Sequence, residues 1–215
     1  MGLILPLPPD PEVLDRRLFL KHAGQSILGG IAILGGLASN PVLASQRSNQ
    51  PQDTLLDNDF WNQPRRINLY RPDTGERANV NYWRDGKLDV DGYVAACRLL
   101  RDVHQNIAVQ MDPGLLDLFR GITGYISAYA ENPTIIITSG YRTHATNKKL
   151  RESGIPAARR SYHLYGKAAD YSIAGIEPRQ LAAIAKYYNA GGVGIYDKKG
   201  FVHMDMGPAR RVWQR

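Results

Sequence analysis

The chain has 215 residues and a formal net charge of +7, because 27 lysines and arginines outnumber 20 aspartates and glutamates. Cys97 is the single cysteine, which excludes an intramolecular disulfide. The basic residues are scattered rather than striped and accompany no recognition motif, so we expect an anionic partner that is not nucleic acid.

The first 44 residues have the pattern of an export signal. Arg16 and Arg17 directly precede the sequence LFLK, an apolar run covers 23–38, and Val42 and Ala44 form a small-residue exit. The run is shorter than the roughly 20 apolar residues of a bilayer span. A retained anchor or a buried helix is the alternative. We expect a twin-arginine signal over 1–44, cleaved after Ala44, with the Tat export machinery as a transient partner and the periplasm or cell envelope as the destination. Only this signal, before cleavage, should meet the membrane.

Residues 45–65 are polar and broken by Pro51, which predicts a flexible lead-in before a single domain at 66–215. The domain opens with two β-prone stretches, at 67–70 and 78–82, around the turn sequence PDTG. This composition predicts a strand, a turn and a second strand.

Two helices are predicted next. Tyr93, Cys97, Leu100 and His104 recur at helical spacing, which predicts one helix with Cys97 and His104 on its buried face. The pair Asp112-Pro113 is a typical helix start, and the leucines and isoleucines that follow it form an apolar stripe.

The second half of the domain alternates between strands and helices. We predict a buried strand at 134–138, a short helix around 147–151, a strand near 168–173, a helix beginning at 177–178, and a closing hairpin over 192–206. The order favours an α+β fold with a mostly antiparallel central sheet and flanking helices.

A metal-binding set of side chains stands out in this half. His163 and Asp170 are separated by Gly166, which lets the backbone turn so that both side chains can converge. His203 lies on the last predicted strand, with Asp205 on the same face because strand side chains alternate. Two imidazoles and one carboxylate suit Zn²⁺ with its fourth position open for water.

Such a site would serve hydrolysis of an amide. Zn²⁺ lowers the pKa of bound water to about 7 and polarises a carbonyl. Arg142 directly follows the isoleucine-rich strand, and could supply the positive charge for a tetrahedral oxyanion. An ordinary ion pair is the alternative role for Arg142.

Four segments together resemble the M15 family of zinc peptidases, most closely the murein endopeptidase K group. They are SGYR ending at Arg142, His163 followed after six residues by Asp170, GGVGIY, and FVH ending at His203 and followed by MDMGP. The resemblance runs from about Ile67 to Trp213. It implies a hedgehog/D,D-peptidase-like fold, zinc on the two histidines and Asp170, Arg142 as electrophile, and hydrolysis of peptide cross-links in peptidoglycan.

The chain departs from that pattern at the general base. Relatives place Glu or His two or three residues before the last zinc ligand, where this chain has Gly200 and Phe201. Asp205 is the nearest replacement, and we assign it as the base, with orientation of His203 as its alternative role.

Three further residues are candidate substrate contacts. His144 follows Arg142 in the loop expected to line the cleft, with a structural or merely exposed role as its alternative. Tyr196 is either a core aromatic of the hairpin or a hydrogen-bond donor at the rim, and Ser161 either orders the ligand loop or contacts substrate.

The sequence thus predicts an exported zinc metallopeptidase that hydrolyses peptide cross-links of peptidoglycan. Two other functions stay open. The absent Glu or His before His203 leaves room for a wall-binding module with little or no turnover, and a D-alanyl-D-alanine carboxypeptidase would use the same ligands.

Overall fold

The computed structural model describes residues 3, 5, 6, 58–188, 191–208 and 211–215. Apart from Leu3, Leu5 and Pro6, the predicted export signal lies outside the described residues, as does the lead-in before residue 58. A short helix with the buried Trp61 precedes the predicted domain boundary at residue 66. None of the described helices is long and apolar enough to cross a bilayer.

The described chain contains eight strands and five α-helices, together with two short 3-10 helices. Each predicted strand and helix is confirmed with small shifts at its ends, except that the helix predicted to include His104 ends at Leu99. Three further elements were not predicted, namely the helix Asn58–Asn62 and the strands Lys87–Leu88 and Arg211–Gln214. In chain order the elements are α1 Asn58–Asn62, β1 Arg65–Arg71, β2 Glu76–Arg84, β3 Lys87–Leu88, α2 Val90–Leu99, α3 Pro113–Ser127, β4 Ile135–Ser139, α4 His144–Glu152, β5 Ala168–Ile173, α5 Pro178–Tyr187, β6 Gly192–Tyr196, β7 Phe201–Asp205 and β8 Arg211–Gln214.

All eight strands form one sheet in the order β3-β2-β1-β4-β5-β7-β6-β8. The central strands β4, β5, β7 and β6 pair antiparallel, but β1 pairs parallel with β4, and β8 pairs parallel with β6. The α+β class is confirmed, and the sheet is mixed, which corrects the expectation of a mostly antiparallel one. The segment between β1 and β4 contains two helices, and such a crossover lets the chain re-enter the sheet in the same direction.

Helices α3 and α5 form the apolar layer against the sheet. Asp112 accepts a hydrogen bond from the backbone of Gly114 and caps α3, and Pro113 occupies its first turn. The α3 helix packs on β1 and on α5, while α5 packs on β6 and β7. Their inward side chains belong to the core cluster.

Strand alternation divides the central strands between this core and the functional face. On β5, Ala169 and Tyr171 are fully buried in the core, and on β7 Val202 and Met204 are as well. Asp170 lies between the first pair and His203 between the second, so both project to the opposite face of the sheet. The same apolar residues that anchor the two strands thus determine where the polar ones point.

His104 is not a core residue, so the predicted helix face is wrong at that position. The α2 helix ends at Leu99, and His104 lies exposed in the loop that follows. Asp102 causes the turn, because its carboxylate accepts hydrogen bonds from the backbone of His104 and of Gln105. Such side-chain bonds compete with continuation of a helix.

Candidate metal centre

The three predicted ligands are brought together by strand register. Asp170 on β5 lies directly opposite His203 on β7, and on its other side it pairs with Ser139 at the end of β4. His163 comes from the 3-10 helix Tyr162–Tyr165, which ends at Gly166 with φ 64°, a left-handed conformation that glycine adopts without strain. That turn returns the chain into β5 beside its own histidine.

The ligand atoms converge closely enough to share one ion. His163 Nε2 lies 3.1 Å from His203 Nδ1 and 3.3 Å from Asp170 Oδ1, and the last two atoms are 2.8 Å apart. Four ligands at about 2.0–2.1 Å around tetrahedral Zn²⁺ would lie about 3.3 Å from one another. All three residues are buried. The described residues therefore fit a divalent ion of this size.

Outer hydrogen bonds turn both imidazoles towards the shared point. His163 Nδ1 lies 2.6 Å from the carbonyl oxygen of Gly140, which only accepts, so Nδ1 carries the proton and Nε2 offers its lone pair. His203 Nε2 lies 3.2 Å from Asp205 Oδ2 and is likewise the protonated nitrogen, which directs Nδ1 inward. Both imidazoles thus point one nitrogen at the space between His163 Nε2, Asp170 Oδ1 and His203 Nδ1, called the ligand point below. A histidine held from behind by a carbonyl or carboxylate in this way is typical of metal sites.

The cluster is electrostatically prepared for a cation. Burial would raise the pKa of Asp170, but the adjacent imidazoles outweigh it and hold the pKa of that carboxyl well below its usual range. Burial lowers the pKa of His163. Burial also disfavours charged His203, yet hydrogen bonds to Asp170 and Asp205 raise its pKa to about 9. Without an ion, a proton on His203 supplies the positive charge between the two carboxylates.

Arg142 is attached to the cluster through the second oxygen of the central carboxylate. Its Nη2 donates to Asp170 Oδ2, and its Nε donates to Ser139 Oγ at 2.8 Å. The backbone N–H of Arg142 donates to the carbonyl oxygen of His163 at 3.1 Å. Arg142 therefore stands beside the ligand point as predicted, but it also neutralises the carboxylate there.

Asp205 is held in a way that does not suit a general base. Its Oδ1 accepts the backbone N–H groups of Gly192 and Gly207, both at 2.8 Å, and Arg211 Nη2 lies 3.0 Å from each of its oxygens. Burial would raise the pKa of Asp205, but the hydrogen bonds from His203 and from the backbone of Gly207 and Gly192 lower it. Asp205 also contacts the outer nitrogen of His203, on the far side of the ring from the ligand point. The geometry favours the alternative role of orienting His203.

Comparison with known proteins gives the family of this chain. The pattern of the family described as "Peptidoglycan L,D-endopeptidase MepK" matches residues 60–213, a range that contains all three predicted ligands. The chain belongs to this MepK family. Peptidoglycan L,D-endopeptidase MepK of Escherichia coli strain K12 is 33% identical over 184 residues, covering 85% of this chain and 92% of that protein.

A second MepK relative comes from Haemophilus influenzae and is named a probable peptidoglycan L,D-endopeptidase. It is 32% identical over 187 residues, covering 87% of this chain and 92% of its own. No solved structure matches this chain significantly. The family match begins near α1 and does not extend to the predicted export signal.

The ligand point of this MepK-family chain opens into a cleft of about 630 Å³. Ser161 and Tyr196 line it, and their contact with substrate stays a prediction. Tyr196 stacks on Phe201 with ring centroids 4.4 Å apart, and its hydroxyl accepts from Trp213 Nε1 at 3.5 Å. Tyr196 is therefore both part of the hairpin packing and part of the rim.

His144 is not among the cleft-lining residues, which corrects its expected place. It is the exposed first residue of α4, and Thr143 before it caps the helix by accepting from the backbone N–H of Thr146. Asp102 binds both the backbone and the hydroxyl of Thr143, so the start of α4 is fixed with His144 outward. Besides His163 and His203, the histidine that lines the MepK-family cleft is His104.

Three contributors to the site were missed in the sequence. Asp102 ties the loop after α2 to the start of α4, Gly140 supplies the carbonyl for His163, and Arg211 on β8 holds Asp205. Only Gly140 had a sequence signal, since it stands in the SGYR segment. A Cβ at this position would meet the backbone of Leu100, so the close approach requires glycine.

Proposed function

We propose that this chain is an exported, zinc-dependent peptidoglycan endopeptidase that cuts an L,D peptide bond in the wall. The observation that carries the proposal is the convergence of His163 Nε2, Asp170 Oδ1 and His203 Nδ1 within 3.3 Å beside an open cleft. The bond type follows from the relatives' names, which specify L,D-endopeptidases. The export route rests on the twin-arginine pattern of residues 1–44.

His163, Asp170 and His203 would hold the ion. A bound Zn²⁺ would supply Lewis-acid activation of both the attacking water and the scissile carbonyl. The reaction adds water across one amide: the carbonyl carbon gains the hydroxyl, the C–N bond breaks, and the leaving nitrogen takes a proton. Every other contribution must come from side chains of the cleft.

Arg142 has two roles in this scheme. It pairs with Asp170 and holds that carboxylate in place, and its fixed charge stabilises the oxyanion that develops on the scissile carbonyl. Asp205 orients His203 and sets its tautomer, as second partners of metal-bound histidines do. The proposal leaves Asp205 out of proton transfer because its oxygens are already engaged.

The cleft rim favours an acidic peptide. Arg160, Lys199 and Arg215 line it and are exposed. Wall stem peptides carry free carboxylates, which such cations attract over a Debye length of about 10 Å at 0.1 M salt. We expect the initial rate on intact wall to fall as salt concentration rises.

The test uses the full chain on purified wall sacculi, with the released fragments identified by mass spectrometry. The zinc-loaded wild type should separate cross-linked fragments at an L,D bond, and His203→Ala should lose both the products and the bound zinc found by elemental analysis. His144→Ala is the matched control, because it removes an imidazole outside the cleft and should keep full activity. Equal product release by wild type and His203→Ala would refute the proposal.

The two alternatives give different products in the same assay. Release of free alanine without strand separation would identify a carboxypeptidase. Retention on sacculi without any product, at full zinc occupancy, would identify a wall-binding module.

A further inference from the structure

Residues at the start of the chain, around Leu3 and Leu5, contact the folded domain although the domain begins about 50 residues later in the sequence. The backbone N–H of Leu3 donates to the carbonyl oxygen of Gly175 at 2.8 Å, just after β5. The Leu5 side chain is only 3% exposed and belongs to the core cluster, while Leu3 is partly buried against it. These residues are therefore seated in a groove of the domain.

The groove recognises the backbone of its occupant as well as its side chains. In the orientation that satisfies both polar atoms of Gln180, its amide donates to Leu3 O and accepts from Leu5 N, both at 3.0 Å. Binding the oxygen of one residue and the nitrogen of the residue two further on is the pairing expected of an extended chain. Tyr125 adds a third contact, donating its hydroxyl to Pro6 O at 2.8 Å.

The residues that form the groove come from two helices and one turn. Tyr125 lies near the end of α3, Gly175 in the turn after β5, and Gln180 in the first turn of α5. None of the three lines the metal-site cleft. The groove is thus separate from the proposed active site. It combines an apolar pocket for a leucine side chain with polar groups that hydrogen-bond the backbone of the bound segment, which is how extended peptides are bound.

We propose that this groove is a binding site for an extended apolar peptide and that its occupant is the chain's own N-terminal segment around Leu3 and Leu5. This segment precedes Arg16 and Arg17, so its docking ties the front of the export signal to the domain. Docking requires α3 and α5 to have packed, and it is therefore available only to a folded domain. Removal of the signal after export would take the occupant away and open the groove.

The test measures how well a separate copy of the segment binds when the native one is unseated. The probe is a fluorescent peptide of residues 1–8, MGLILPLP, added to the full chain and followed by fluorescence anisotropy. Leu5→Asp in the chain should weaken self-docking and increase the affinity for the probe by at least about tenfold, because a tethered competitor acts at millimolar effective concentration. Adding Gln180→Ala to that variant should remove the gain, and a probe with the Leu5→Asp change should not bind.

Two further measurements keep the result decisive. The Leu3 amide should be protected from hydrogen exchange in the wild type and lose protection in Leu5→Asp. Deletion of residues 2–8 provides a second way to vacate the groove, and wall hydrolysis by both variants should stay at the wild-type level. Failure of the probe to bind either vacated chain, or equal binding with and without Gln180→Ala, would overturn the proposal without affecting the proposed catalytic function.

Discussion

Two buried clusters in this domain each contain an aspartate that contacts an arginine, yet only one looks like a site. Around Asp117, Arg65 Nη1 at 2.8 Å and the Tyr82 hydroxyl at 2.7 Å both donate to the carboxylate. Around Asp170, by contrast, His163 and His203 each direct a ring nitrogen towards the carboxylate, with the other nitrogen hydrogen-bonded outside the cluster.

The difference lies in the balance of donors and acceptors. The Asp117 cluster is closed, because donors surround its carboxylate and the side chains of Arg65 and Asp117 are each 3% exposed. The Asp170 cluster gathers acceptors around one point and adjoins a cleft, so it is completed only by a proton or a cation. A surplus of converging lone pairs therefore separates a binding centre from a structural ion pair.

The largest effect should follow from the same change made in each cluster. Asp170→Asn removes a charged ligand, and we expect wall hydrolysis to fall by at least about 10³-fold, since a catalytic metal is worth several kcal/mol. Asp117→Asn is the matched control and should keep its specific activity per folded molecule. Both are measured by fragment release from sacculi. A similar loss in the two variants would contradict the distinction.

Truncation of the closed cluster should appear in stability instead. Asp117→Ala removes the carboxylate that Arg65 Nη1 contacts, and breaking a buried ion pair costs about 3–5 kcal/mol. Urea unfolding monitored by circular dichroism gives this difference. Tyr82→Phe, which removes only one hydrogen bond to Asp117, should cost about 1 kcal/mol. A loss below 1 kcal/mol for Asp117→Ala would show that the pair contributes little.

A smaller change is expected at the outer partner of the open cluster. Asp205→Asn should weaken zinc binding by about 10–100-fold, because the carboxylate that fixes the His203 tautomer is lost. Saturating zinc should then restore most of the hydrolysis. If zinc affinity stayed normal and kcat alone fell, Asp205 would be the general base assigned from the sequence.

The affinity for zinc should change about tenfold per pH unit. His203 has a pKa near 9 in the metal-free protein, raised from 6.5, so below pH 9 a metal must displace one proton. Zinc affinity should therefore rise with pH between about 6.5 and 9. The sign is opposite for metal-free stability: this group's contribution is full below pH 6.5 and is lost as pH approaches 9. Zinc titrations across this range test the first trend, and urea unfolding tests the second.

The sequence was sufficient to predict that His163, Asp170 and His203 converge, because each is embedded in a local pattern. Asp170 alternates with the apolar residues Ala169 and Tyr171 along β5, and His203 does the same along β7, so the face of each side chain could be read from a period of two. His163 and Asp170 also lie on either side of the turn at Gly166. Local periodicity therefore predicted which groups would meet.

What the sequence did not reveal depends on contacts between distant segments. The pairing of β8 with β6 was missed because Arg211–Gln214 is largely exposed and has no buried alternation, and this strand carries the arginine that engages Asp205. His104 matched a helical period, but the Asp102 carboxylate accepts a hydrogen bond from the backbone of His104, and the chain there forms a loop instead of a helix. Arg142 was placed correctly beside the site, yet its pairing with Asp170 follows only from the fold.

The direct cross-strand pairing of Asp170 with His203 has a consequence for biogenesis. Slippage of β7 by a single residue would turn its histidine to the other side of the sheet and dismantle the ion-binding geometry. Correct assembly of the innermost strands and acquisition of hydrolytic competence are then the same event. A half-formed precursor would therefore lack the geometry that the proposed wall hydrolysis needs.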